Sequence, residues 1–377
     1  MNQKSKNQEN NVKNATTKIK TLAPLISGLT GGTAGTVLLY PLDLIKVRWQ
    51  VNEDRTTLFG RQNQKQNLLA HHQQHQHHRK SLIHSLRTII KYEGILGLYQ
   101  GLTPSLLGSA ISWGGYFYFY EGMKRNLLSY YKNKNINNNN HNTNTTIKLQ
   151  LGPLDNFACA ISSGSIMVGI TNPIWLIKTR MQLQSRKCKN TTTTPTQAPK
   201  HYYYLNMYDA FKTIIKEEGI LALYKGAIPA LFLTVHGGVQ FVSYEFLKLC
   251  FGNYKKDLFI KKTSSDSISA RFYDSIGYLS AGAISKIIAS SMTYPLQVIK
   301  SRLQQRSYTN ELTELGKTKL VKRQYYGIID CIKKMYKYEG FISFFKGCIP
   351  NAIRVAPNAA ITFVVYETMM DIFSSFY

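Results

Sequence analysis

Along this chain, uncharged apolar runs alternate with polar, strongly basic stretches, and the runs have membrane length. Thr21–Leu42 gives 22 residues without an acidic or basic side chain, Gly101–Tyr120 gives 20, Asn156–Ile177 gives 22, and Gly226–Tyr244 gives 19 with His236 counted neutral. A helix crossing the hydrocarbon core needs ~20 residues, so each run suffices. Two further runs are each broken by one cation, Ser275–Ile299 by Lys286 and Gly347–Tyr366 by Arg354. The pattern predicts an all-α membrane protein with six transmembrane helices. The stretches around 50–95, 183–217 and 304–338 are polar and basic, which places them on the more negative side of the membrane and both termini opposite.

The runs repeat as pairs. YPLDLIKVRWQ begins at Tyr40, NPIWLIKTRMQ at Asn172 and YPLQVIKSRLQ at Tyr294, with the prolines Pro41, Pro173 and Pro295 spaced 132 and 122 residues apart. Each is followed by a second pattern (EGILGLYQG from Glu93, EGILALYKG from Glu218, EGFISFFKG from Glu339). A third comes after it: FYEGMK from Phe119, SYEFLK from Ser243 and VYETMM from Val365. Three linked patterns in the same order three times define tandem units, each too small to bury its own faces alone. The prolines should kink or end the first helix of each pair. Gly28, Gly31, Gly32, Gly35, Gly164 and Gly169 would let neighbouring helices approach, a packing role.

The chain divides accordingly into a polar tail (1–20), repeat 1 (21–130, with a low-complexity insertion at about 61–80), an Asn-rich linker (131–150), repeat 2 (151–252), a linker (253–272) and repeat 3 (273–377). A net charge of +27 calls for an anionic partner. Its basic residues flank apolar runs, which argues for a membrane protein over a nucleic-acid binder. The insertion carries His71, His72, His75, His77 and His78, but no Cys or acid fixes a metal geometry, so a solvated segment is the expectation. Cys159, Cys188, Cys250, Cys331 and Cys348 show no paired spacing, so no disulfide framework is expected. No phosphate loop, nucleophile constellation or metal set suggests an enzyme.

The pattern P-x-[acid]-x-x-[base]-x-[base], followed by E-G-x-x-x-x-[aromatic]-[base]-G, resembles the signature of the mitochondrial carriers from about Thr21 to Phe373. The resemblance implies a pseudo-threefold barrel with a central substrate site and two gates opening alternately. On the matrix side it places bases at Lys46, Lys178 and Lys300, an acid at Asp43, but Trp175 and Gln297 where the other acids would stand. One ion pair is then expected where a full ring makes three, with a cation–π face from Trp175 and a hydrogen bond from Gln297. Gln50, Gln182 and Gln304 fall where carriers place a bracing glutamine. On the cytosolic side the gate would use Glu121 with Lys124, Glu245 with Lys248, and Glu367, whose basic partner is replaced by Met370. Ordinary interfacial anchoring is the plainer role for these charges.

Ionisable groups within a bilayer are costly and mark function, which singles out Lys286, Arg354 and His236. Arg354 lies thirteen residues before Glu367; the same step from Glu121 and Glu245 gives Gly108 and Phe232, the levels of the carriers' contact points. One turn further lie Ser112, His236 and Asn358, with Trp113 and Gln240 beside them. Arg354 could grip an anion bidentately, Lys286 could add charge and Trp113 could stack on a ring. Packing roles for Trp113 and Lys286 stay open.

NPIW is shared with carriers of pyrimidine nucleotides, NAD, flavin and folate, and the stretches SWGGYFYFYEGMK, HGGVQFVSYEFLK and YPLQVIKSRLQ look most like the flavin/folate branch of the family. The resemblance implies a monomeric transporter of the mitochondrial inner membrane. It would hold no resident cofactor, would lie among lipids such as cardiolipin and would bind no nucleic acid. FAD or a related flavin, or folate, would be the substrate. The alternatives are a pyrimidine nucleotide or NAD carrier of the same family, or a proton-leak member that moves no organic solute.

Overall fold

A computed structural model describes residues 23, 26–52, 81–138, 151–184, 203–259, 267–306, 308–312, 318–322 and 325–374. The cluster His71, His72, His75, His77 and His78 lies outside the described residues. Helix α1 (26–38) leads through Leu39 into α2 (Tyr40–Val51), followed by α3 (Leu82–Glu93) and α4 (Leu102–Asn138). Repeat 2 contains α5 (Pro153–Leu183), α6 (Met207–Glu218), α7 (Ala227–Phe232) and α8 (His236–Phe259). Repeat 3 contains α9 (Ser267–Met292), α10 (Tyr294–Gln304), α11 (Ile328–Glu339) and α12 (Cys348–Ser374). Each repeat is thus an odd spanning helix, a short amphipathic helix and an even spanning helix, and the three repeats close a pseudo-threefold barrel. Among the described residues, Leu154–Leu183, Ile220–Cys250 and Phe341–Ser374 are apolar and long enough by themselves to cross a membrane.

The three prolines act in two ways. Leu39 (φ −98°, ψ 9°) and Thr293 (φ −88°, ψ 0°) interrupt the odd helices of repeats 1 and 3, so that Pro41 and Pro295 stand in the first turn of α2 and α10. A proline there loses no bond, because first-turn N–H groups have no intrahelical partner. Pro173 instead lies inside the continuous α5.

The E-G motif folds identically three times. The amphipathic helices α3, α6 and α11 end at Gly94, Gly219 and Gly340, with φ of 77°, 82° and 77°. A 3-10 turn follows each, and Gly101, Gly226 and Gly347, with φ of 80°, 79° and 86°, open the even helices. Backbone of this hand is costly for any residue with a Cβ, which is why the motif keeps both glycines. The turn folds each amphipathic helix back under its odd helix, giving three matching apolar cores. Tyr40, Leu44 and Ile45 pack with Ile89 and Leu98; Leu176 and Ile177 with Ala210, Ile214 and Leu223; Tyr294, Val298 and Ile299 with Cys331, Met335 and Phe344.

Glycine packing is selective. A Cβ at Gly31 would stand 2.7 Å from Thr362 O, one at Gly35 2.9 Å from Asn358 Oδ1, and one at Gly164 3.2 Å from Thr234 Cγ2. Gly28, Gly32 and Gly169 have nothing within 4 Å, so they do not serve close approach here. A two-stranded antiparallel hairpin, β1 (Tyr308–Leu312) with β2 (Thr318–Lys322), interrupts the third connector. It departs from a purely helical reading, but it lies outside the spanning helices. The even helix of repeat 2 also differs from its counterparts, with a 3-10 turn at Leu233–Val235 between α7 and α8.

Candidate functional site

At one end of the barrel the three odd helices converge, and two rings of polar side chains tie them together. The ring nearer the barrel's end is the same in every repeat. Arg48 holds Glu93 bidentately at 2.8 and 2.9 Å, Arg180 holds Glu218 at 2.5 and 2.9 Å, and Arg302 holds Glu339 at 2.5 and 2.8 Å. The remaining Nε of each arginine donates to the helix end of the next repeat: Arg48 to Gln182 O at 3.0 Å, Arg180 to Gln304 O at 3.1 Å, Arg302 to Gln50 O at 3.0 Å. One guanidinium therefore links the amphipathic helix of its own repeat to a neighbouring spanning helix. Planar five-donor geometry makes arginine suited to that double task. Lys225 and Lys346 each add a 2.7 Å contact to Glu218 and Glu339. Repeat 1 has Gln100 there, with both polar atoms of its buried side chain unpartnered.

The sequence reading missed these six residues as a functional set. Their signal was present, since the second base of the proline motif and the Glu of the E-G motif recur in every repeat. Only the fold-back at Gly94, Gly219 and Gly340 brings them together.

The second ring, set back toward the barrel interior, contains the residues expected of a matrix gate, and it differs at each seam. Between repeats 1 and 2, Lys178 Nζ lies 2.8 Å from Asp43 Oδ2, and Gln182 Nε2 donates to Tyr40 OH at 3.1 Å and to Asp43 Oδ2 at 3.2 Å. Between repeats 3 and 1, Lys46 Nζ donates to Gln297 Oε1 at 3.0 Å, Gln50 Nε2 to Tyr294 OH at 3.1 Å, and Ser301 Oγ to Gln50 Oε1 at 2.8 Å. Between repeats 2 and 3, Thr179 Oγ1 donates to Gln304 Oε1 at 3.0 Å, and Lys300 has neither hydrogen bond nor ion pair among the described residues. The cation over the Trp175 ring is Lys178, 5.1 Å from the centroid and in the same helix.

Asp43 corrects one expectation. It serves two cations rather than one, because Arg354 Nη1 also lies 2.8 Å from its Oδ1. A carboxylate with two oxygens can accept from both, and with Trp175 and Gln297 in the other acid positions no second carboxylate competes. All nine residues expected of this gate (Asp43, Lys46, Gln50, Trp175, Lys178, Gln182, Gln297, Lys300 and Gln304) line one cavity of about 240 Å³, with Val47, Thr179, Leu233 and Ser301.

None of the nine residues expected to touch substrate lines that cavity. Gly108 lies beside one of its walls, with a Cβ there falling 3.1 Å from Ile174 and 3.6 Å from the Trp175 ring. Arg354 is turned onto Asp43. His236 Nδ1 is 2.9 Å from Thr293 Oγ1 at the break before α10, so it joins repeats 2 and 3 rather than standing free. Asn358 packs against Gly35. Lys286 is exposed, with Arg354 as a charged neighbour. Trp113 is 63% exposed and stacks on Phe117 at 6.0 Å; Phe232 is 60% exposed, and its neighbour Leu233 takes the cavity position instead. The Ser112 hydroxyl is buried without a partner, and Gln240 is half-buried.

At the opposite end, Glu121, Lys124 and Glu367 make no ion pair among the described residues, and Lys248 reaches Glu245 of its own helix at 3.8 Å. Among the described residues no ion pair crosses between repeats there, and the polar links between repeats 1 and 2 are Tyr120 OH donating to Asn156 Oδ1 at 3.4 Å and Tyr131 OH to Asp155 Oδ1 at 3.2 Å. Ion pairs therefore cross the seams at one end of the barrel, whereas at the other Glu121, Glu245 and Glu367 stand at matching threefold positions with no inter-repeat ion pair among the described residues.

The family described as mitochondrial carrier protein matches residues 17–131, 149–255 and 273–377, one match per repeat. The chain belongs to the mitochondrial carrier family, and it is a multi-pass membrane transporter rather than an enzyme. Among curated relatives, mitochondrial substrate carrier family protein M of Dictyostelium discoideum is 36% identical over 92% of this chain and 94% of its own length. Folate transporter 1, chloroplastic, of Arabidopsis thaliana is 33% identical over 92% and 94%. Nicotinamide adenine dinucleotide transporter 1, chloroplastic, of the same plant is 32% identical over 90% and 88%.

Proposed function

We propose that the protein carries an anionic aromatic cofactor, FAD or a related flavin or folate, across the mitochondrial inner membrane by alternating access. Both termini would face the intermembrane space. The observation that carries this reading is the charge of the inner ring: among the described residues, Lys46, Lys178, Lys300 and Arg354 gather there against the one carboxylate of Asp43. Four cations in a low-dielectric setting favour a polyanionic solute. The expected contact level adds Lys286 and the ring of Trp113, which suit a planar ring system joined to phosphates or carboxylates. The likeness to a folate transporter supports the branch.

In this reading the structure corresponds to the state open to the cytosol. Substrate draws Arg354 off Asp43, the matrix ring parts, and Glu121, Glu245 and Glu367 close with Lys124 and Lys248 behind it. Cardiolipin and a monomeric assembly are expected of the fold.

NAD is the second reading, favoured by the similar likeness to a dinucleotide transporter. Purified protein in liposomes, offered FAD, folate, NAD and UTP from either side, separates the two. Uptake of FAD or folate above that of empty vesicles is the expected result; uptake of NAD alone would replace the flavin reading.

A further inference from the structure

The three seams of the closed end are unequal in what they leave unsatisfied, and the inequality points to an anion seat. At two seams the lysine has an oxygen acceptor, Asp43 for Lys178 and Gln297 for Lys46. At the seam between repeats 2 and 3, Trp175 stands where an acid would receive Lys300, and Lys300 is left with none. The bracing glutamines follow suit. Gln182 and Gln50 donate to the hydroxyls of Tyr40 and Tyr294. Repeat 2 has Asn172 in place of that tyrosine, with its amide nitrogen drawn 2.7 Å from Leu223 O, and Gln304 Nε2 is left without a partner although the side chain is 1% exposed. A half-buried cation and a buried amide donor thus line the same cavity, and among the described residues neither has an acceptor.

Unpaired buried donors cost free energy until an acceptor arrives. We infer that the repeat 2–repeat 3 seam, with Lys300 and Gln304 Nε2, seats the oxyanion group of the transported molecule. That group is a diphosphate or a carboxylate pair, and it lies next to the Trp175 indole. The inference rests on the carrier reading above and deepens it: the anionic end of the solute goes to the floor of the closed end, below the level of Gly108, Phe232 and Arg354. The remaining two seams supply their own acceptors and have no such vacancy to fill. The substrate would then be what completes the incomplete seam.

The test uses the full-length protein in detergent and two compact probes, inorganic pyrophosphate and L-glutamate, read by the shift each causes in the thermal unfolding midpoint. A ligand that binds only the folded state raises that midpoint in proportion to its occupancy. Wild type is expected to be stabilised by at least one probe, and whichever acts reveals whether the seat takes phosphates or carboxylates. Lys300→Gln should weaken the apparent affinity for that probe at least about tenfold. Trp175→Asp supplies the acid that Lys300 lacks, so it should raise the midpoint of the unliganded protein and remove the probe's shift. Absence of any shift in wild type, as from a seam filled only by water, overturns the inference. So does a shift that Lys300→Gln leaves intact. Failure of FAD or folate uptake with the probe shift retained would sink the flavin reading and leave the seat standing.

Discussion

Two rings close the same end of this barrel, and they obey opposite rules. The outer ring of Arg48, Arg180 and Arg302 makes the same bidentate pair and the same carbonyl clip three times. In the inner ring Lys46 meets a glutamine, Lys178 an aspartate, and Lys300 no acceptor among the described residues. Threefold repetition is what a scaffold needs, because each repeat must dock on the next in the same way. A substrate has no threefold symmetry, so a ring that touches it cannot stay uniform. Under the proposed function, the contrast separates architecture from recognition within a single barrel end.

Removing a guanidinium from the outer ring should have the largest effect. Arg302→Ala leaves Glu339, whose side chain is 6% exposed, buried without its bidentate partner and frees Gln50 O. Lys346 still contacts Glu339 at 2.7 Å, so a loss at or below the low end of the ~3–5 kcal/mol for breaking a buried pair is expected. It would register as a fall in the thermal midpoint of the detergent-purified protein. The matched change in the inner ring, Lys300→Met, should leave that midpoint unchanged or higher, because it removes a cation that has no counterion. Equal losses in the two variants would end the distinction between the rings.

Restoring the missing brace sharpens the comparison from the other side. Asn172→Tyr gives Gln304 Nε2 the hydroxyl that Gln182 and Gln50 already have. One buried hydrogen bond of ~1 kcal/mol is expected, seen as a small rise in the midpoint. A drop would mean that repeat 2 has no room for the ring that Tyr40 and Tyr294 occupy in repeats 1 and 3.

The smallest effect concerns pH. Burial pushes the Glu218 carboxyl up, but the hydrogen bond and charge of Arg180, then those of Lys225, outweigh it and hold it at about 2. A depressed carboxyl contributes stability that is full above its unfolded value of about 4.5 and is lost as pH falls toward 2. The midpoint should therefore be flat from neutrality down to about 5 on account of this pair, and should decline below it. Arg180→Gln should remove that acid-side slope. A slope of the same size in the variant would assign it to other groups.

Much of this was legible in the residues. Three linked motifs predicted three repeats, and the uncharged runs predicted their spanning helices, because membrane length and tandem repetition are properties of order along the chain. The nine inner-ring residues were also legible, since each holds a fixed offset from a proline, and the structure brings all nine around one cavity. The substrate-side positions were less so. Symmetry places Phe232 level with Arg354, yet a 3-10 turn at Leu233–Val235 shifts the register and puts Leu233 on the cavity. No periodic count contains that turn.

By itself, then, the sequence determined the scaffold: six helices in three pairs, proline-marked ends, and an unequal set of acids and bases at equivalent positions. The tertiary structure alone decided who meets whom. Motif spacing allowed Asp43 one ion pair without naming the lysine; the fold supplies Lys178 and, 311 residues away on the last helix, Arg354. His236, free in any linear reading, is spent on Thr293. The physical reason is that offsets within a helix are set by its geometry, whereas pairing across the barrel depends on how tightly three repeats converge. Two glycines per repeat set that convergence by turning the chain, and no local pattern of charge records the result.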